Sequence, residues 1–181
     1  SLIPIAWVDR AKTNVLEVKA DAPVEAGLDV ADTGGDESVF TVKRGGKVLT
    51  QIWWSNVDTM GTCGKVVQLC NQWGVSLLKT DPIGIGAGVT SRLKELHYEG
   101  VLKSSVVGLN VAEKSNNPSM FETKRDEIFY GLADRFKDNE IDLSAIQDSE
   151  ELFSQLVSIK KDKPTSKGQL KVAKKDHSNS P

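Results

Sequence analysis

Two aspartates occupy positions where a carboxylate needs a physical reason. Asp29 interrupts the apolar run Ala26-Gly27-Leu28-Asp29-Val30-Ala31, which otherwise suits a buried strand. A charge placed there costs free energy unless a cation or hydrogen bonds compensate it. Asp81 closes the stretch Val75-Ser76-Leu77-Leu78-Lys79-Thr80 and is followed at once by Pro82-Ile83-Gly84-Ile85-Gly86-Ala87-Gly88. If these two strands are parallel neighbours, their carboxylates converge at one edge of a sheet. Convergent carboxylates repel each other unless metal ions lie between them, and hard oxygen donors favour Mg²⁺ or Mn²⁺. A pair of such ions about 4 Å apart activates a water and stabilises the leaving oxygen in phosphodiester hydrolysis. That chemistry requires no cysteine, serine or histidine nucleophile.

Asp32 and Asp36 follow in Asp32-Thr33-Gly34-Gly35-Asp36. Asp36, which leads into the next strand, is the better candidate for an outer metal ligand, although Asp and Gly both populate tight turns without any ligand. The corresponding plain readings are a hydrogen-bonded carboxylate for Asp29 and a helix N-terminal cap for Asp81. Three motif matches fail on spacing. Gly61-Thr62-Cys63-Gly64-Lys65-Val66 lacks the glycine separation and the hydroxyl of a phosphate loop, and Gly84-Ile85-Gly86-Ala87-Gly88 does not match a dinucleotide fingerprint. The aspartates at 29, 32 and 36 do not have the spacing of a calcium loop. Cys63 and Cys70, seven residues apart, share one face of a helix, where a thiol acts as a small hydrophobe. With His97 and His177 they form no zinc pattern.

The net charge of −2 conceals an uneven distribution. Lys160, Lys161, Lys163, Lys167, Lys171, Lys174 and Lys175 face a single acid, Asp162, within the same stretch. Such a stripe can hold a polyanion locally, or simply be a solvated hairpin. No apolar run reaches the roughly 18 residues of a membrane span. Residues 1–7 lack the basic and apolar regions of a secretory signal, so the cytoplasm is the expected compartment.

These side chains must be positioned by an α/β fold. Residues 4–12 predict a short helix. Residues 26–31, 38–43 and 47–54 predict three strands, with Gly45-Gly46 as a two-residue hairpin, so that the three form an antiparallel meander. The period then changes. Residues 57–73 predict a helix stopped by Gly74, 75–81 a fourth strand, 82–88 a turn, 89–98 a helix and 101–107 a fifth strand. A loop over 108–118 leads to a long helix near 119–137. A further helix or strand over 150–159 and a last hairpin crossing 164–168 complete the chain. The order implies a mixed sheet, antiparallel meander plus parallel strands, flanked by helices.

Several segments, in order, resemble the C-terminal nuclease domain of tailed-phage large terminases. They are Gly27-Leu28-Asp29-Val30-Ala31 with Gly34-Gly35-Asp36; Asp81-Pro82-Ile83-Gly84-Ile85-Gly86-Ala87-Gly88; Phe121-Glu122-Thr123-Lys124-Arg125-Asp126-Glu127; Lys167-Gly168-Gln169-Leu170; and Lys175-Asp176-His177-Ser178-Asn179-Ser180-Pro181. The resemblance covers nearly the whole chain. It implies an RNase H-like fold and a two-metal endonuclease that cuts concatemeric duplex DNA during genome packaging, with Asp29 and Asp81 matching the family's first two acids. A third acid is expected just beyond Pro181, and Asp176 and His177 do not match its position. The resemblance also implies partners, a small terminase subunit and a portal protein, and a place in the host cytoplasm, transiently docked on the procapsid. Residues 1–20 are expected to be the tail of a linker from an ATPase domain and residues 21–181 the nuclease domain. No phosphate loop is present, so ATP hydrolysis is not expected of this chain. Two other readings are a junction resolvase or transposase-type nuclease of the same fold, and a non-catalytic domain that docks DNA or a portal.

Overall fold

Strands β2 (Ser38–Arg44) and β3 (Lys47–Trp54) form the expected hairpin around Gly45-Gly46, and Gly45 takes φ +57, the left-handed geometry such a turn requires. In this computed structural model, which describes residues 1–31 and 36–175, β2 also pairs antiparallel with β1 (Val24–Asp29). Helix α2 (Thr59–Trp73) then leads to β4 (Leu77–Thr80), and α3 (Ile85–Tyr98) to β5 (Ser105–Gly108). β4 is parallel to both β1 and β5. The result is a five-stranded mixed sheet in the order β3-β2-β1-β4-β5, flanked by helices, with β1 at its centre.

The core lies between one face of this sheet and the two helices. Val24, Ala26 and Leu28 of β1, Phe40 and Val42 of β2, and Leu78 of β4 meet Cys63, Val66, Leu69 and Cys70 of α2 and Val89 and Leu93 of α3. Both thiols are free and buried on α2, as their spacing predicts. Burial pushes Cys70 up to about 11, as expected for a thiol that serves as packing. Asp58 caps α2 by accepting the Gly61 amide at 2.7 Å, and Gly74 ends the helix in the left-handed conformation. Met60, in the first turn of α2, faces away from this core and is 64% exposed.

The chain divides into two compact units, residues 15–110, which hold the sheet, and residues 1–14 with 111–181. In the second unit, α1 (Ile5–Lys12), α4 (Lys124–Lys137) and α5 (Glu150–Ser158) bury Val8 and Ala11, Ala133 and Phe136, and Phe153 and Leu156 respectively. Ile3 is fully buried and the Leu2 amide bonds the Ile159 carbonyl at 2.8 Å, so residues 1–14 are packed within this unit. Short strands β6 (Lys161–Asp162) and β7 (Lys171–Val172) form the last hairpin.

Two helix starts differ from the sequence expectation. α3 begins at Ile85 instead of 89, because the glycines read as a turn supply its cap and first turn. α4 begins at Lys124 instead of 119, because Thr123 and Asp126 make a reciprocal capping box there. Among the described residues no helix is long and apolar enough to cross a membrane.

Candidate active site

Strand direction gathers the candidate acids. β1, β3, β4 and β5 run the same way and β2 against them, so four carboxyl ends and the start of β2 share one edge. Ligands of open α/β sheets bind outside such an edge. Asp29 is the last residue of β1, and Asp81 directly follows β4. Their strands pair in parallel with Leu28 opposite Thr80, so Asp29 and Asp81 each follow the last paired position at the same edge. Asp36 stands two residues before β2, at the same edge, and is exposed. The parallel pairing of these two strands, on which the convergence of the acids depends, is therefore present.

Asp29 is exposed, not buried as its apolar neighbours suggest. β1 alternates, with Val24, Ala26 and Leu28 inward and Gly27 and Asp29 exposed. Glycine blurs that alternation in the sequence, because it reads as apolar whichever way it faces. Asp81 is exposed too, so both carboxylates stand in solvent, on the sheet face opposite the core.

Asp81 is held by its surroundings. Its Oδ1 accepts the Ile83 amide at 3.0 Å, and its carbonyl accepts the Thr90 hydroxyl at 3.3 Å. Thr90 is fixed in turn by a 2.7 Å bond with Thr80. The cap of α3 is Gly84 at φ +63, so Asp81 is an acid ahead of the helix and not its cap. Gly86 explains the glycine-rich sequence: a Cβ there would lie 2.2 Å from the Asp81 carbonyl oxygen. The absence of a side chain lets α3 start directly against the acid. At the other strand, the Ala31 amide bonds the buried Ser38 hydroxyl at 3.0 Å, tying the exit of β1 to the start of β2.

Carboxylate oxygens at a sheet edge are the donors that Mg²⁺ or Mn²⁺ prefers, and the donor set here is entirely oxygen. Among the described residues no cluster of three or more His, Cys, Asp or Glu could hold a metal ion. The described chain thus contributes a neighbouring pair, with Asp36 at the same edge. Asp32, Asp176 and His177 lie outside the described residues.

In the second unit, Lys160, Lys161, Lys163, Lys167, Lys174 and Lys175 are exposed. Lys171, expected with its neighbours to hold a polyanion, pairs with Glu122 and Asp126 at 3.1 Å each. Asp126, 1% exposed, also accepts the Val172 amide at 2.9 Å and the Thr123 hydroxyl at 2.8 Å. Burial pushes its carboxyl up, but the Val172 amide, the Thr123 hydroxyl and Lys171 together outweigh burial and hold it below the usual carboxylate range. Arg125 donates to the Val172 and Ala173 carbonyls and Tyr130 to that of Lys171. Gln169 reaches the Pro118 carbonyl at 2.7 Å. The segments at 121–127 and 167–170 are thereby joined. Sequence reasoning gave Asp126 no role of its own, though the spacing Thr123-x-x-Asp126 before a helix is a readable capping signal.

No protein-family profile and no curated protein sequence matches the chain. Solved structures do. The nuclease domain of the large terminase subunit gp2 of bacterial virus Sf6 aligns with a TM-score of 0.82 at 20% identity, over 96% of this chain and 88% of that one. A mutant of the same domain solved with manganese gives 0.81 at 21% identity, over 96% and 88%. The large terminase nuclease from thermophilic phage G20c with bound magnesium gives 0.60 at 16% identity, over 88% and 76%. The chain shares the fold of these nuclease domains, the RNase H-like mixed sheet.

Proposed function

We propose that the chain is the nuclease domain of a phage-type large terminase, a Mg²⁺- or Mn²⁺-dependent endonuclease that cuts double-stranded concatemeric DNA during genome packaging. The observation that carries this reading is the parallel register that brings Asp29 and Asp81 side by side at the carboxyl edge of a sheet shared with terminase nucleases. In this reading Asp29 and Asp81 would hold the metal, with Asp36 as an outer contact. Divalent ions held there would supply the Lewis acidity needed to activate a water and stabilise the leaving oxygen. The chain's own residues orient the carboxylates: the Ile83 amide and Thr90 fix Asp81, and Gly86 lets the helix abut it.

The exposed lysines at 160, 161, 163, 167, 174 and 175 grip backbone phosphates without reading bases, which gives sequence-tolerant, salt-sensitive binding. In a packaging motor, the partners would be a small subunit and a portal protein, in the host cytoplasm. Plasmid nicking with Mn²⁺ or Mg²⁺ tests the assignment. Asp29→Ala and Asp81→Ala each abolish cutting while leaving the melting temperature near wild type, since both side chains are exposed. Undiminished cutting by both variants would refute it.

A further inference from the structure

We propose that Lys79 contacts a backbone phosphate flanking the one that is cut, in a trough whose floor is Gly27; this rests on the nuclease reading above. Lys79 lies between Leu78, fully buried, and Thr80, 3% exposed, so its own exposed side chain stands on the face of the sheet opposite the core. Its register partners are Gly27 on β1 and Val107 on β5. Asp29 and Asp81 occupy the next positions on that face, one two-residue repeat ahead, about 6.6 Å along the strands.

Lysine is a poor strand residue, and here it has no structural task. Lys43, on the same face, is neutralised by Glu25 at 2.8 Å, whereas Lys79 forms no ion pair with any described acid. Gly27 is equally unexplained by the fold. It sits in the central strand, where glycine is unfavourable. It does not have a positive φ, and a Cβ added to it meets nothing within 4 Å. Neither backbone geometry nor packing requires glycine there. What it leaves is free volume beside an uncommitted cation, next to the acid pair, and a polyanionic strand is the ligand that uses both.

Equilibrium binding to a labelled duplex without divalent metal, titrated with salt, reads this contact independently of cutting. Lys79→Gln should weaken binding about three- to tenfold and reduce the slope of log affinity against log salt by about 0.9, the contribution of one phosphate. Lys79→Arg should restore both. In the cleavage assay, Lys79→Gln should raise KM with little change in kcat. Gly27→Val should fold at least as well as wild type, because valine favours strands, yet bind and cut less well by filling the trough. A Lys79→Gln variant with wild-type affinity and salt slope, or a Gly27→Val variant that binds and cuts normally, overturns the proposal. If the wild-type chain fails to cut but the slope still depends on Lys79, the nuclease reading falls and the phosphate contact stands.

Discussion

Gly86→Ala is the sharpest probe of how Asp81 is positioned. The new Cβ would lie 2.2 Å from the Asp81 carbonyl oxygen and 3.3 Å from its carbonyl carbon, both backbone atoms. A carbon–oxygen contact relaxes only at about 3.3 Å, so the start of α3 must retreat from the end of β4 by about 1 Å. Overpacking of this kind costs about 1–3 kcal/mol, and the helix propensity of alanine returns about 0.8–1.0 kcal/mol. The remainder, about 0–2 kcal/mol, lowers the melting temperature of a chain this size by no more than about 8 °C. Cutting should suffer more than stability does, because a displacement of about 1 Å at a catalytic group can cost about a hundredfold in rate. Gly88→Ala is the matched control. Its Cβ would meet only Thr59 Cγ2 at 4.0 Å, an ordinary contact, so it should stabilise the helix by about 0.8–1.0 kcal/mol and leave cutting unchanged. The assays are thermal unfolding and plasmid nicking in Mn²⁺ for both variants. If Gly86→Ala melts and cuts like wild type, or Gly88→Ala loses as much activity, the close approach of α3 does not set the position of Asp81.

Two further outcomes follow from buried groups. Asp126→Ala should lower stability by about 1–3 kcal/mol through the orphaned Val172 amide alone, measured by chemical denaturation. The folded carboxyl of Asp126 titrates below its ordinary value of 3.8. The stability it contributes is therefore complete above that value and is lost as pH falls below it and through the folded pKa. Asp126→Asn should flatten this acid limb of the stability profile. Cys63 and Cys70, 2% and 1% exposed with pKa values raised by burial, should resist alkylation in the folded protein near neutral pH and react only on unfolding. Rapid labelling of either thiol in native protein, read by mass spectrometry, would contradict the packing described for α2.

The hairpin around Gly45-Gly46, the change of period after Trp54 and the glycine stop at residue 74 were all readable, because each is a local signal that tertiary packing had no reason to override. The placement of Asp29 and Asp81 at one sheet edge was readable for a topological reason, since both stand at strand ends in an α/β order that favours parallel pairing. Burial of Asp29 was not legible either way, because an alternating strand containing glycine looks like a continuous apolar one. The start of α3 was set too late because glycines usually signal turns, whereas here a close backbone approach to Asp81 demands one inside the helix. Lys171 could not be separated from its neighbours by composition, since its pairing with Asp126 is a contact between residues distant in the chain.

The register that joins β1 to β4 has a consequence for when chemistry can begin. Asp29 and Asp81 belong to strands separated in the chain by the hairpin and by α2, and they become neighbours only once that intervening segment has closed. A nascent or partly melted chain holds two ordinary, separated aspartates. On the nuclease reading proposed above, reactivity toward DNA would be contingent on a finished sheet, and the incomplete molecule would need no inhibitor to silence it.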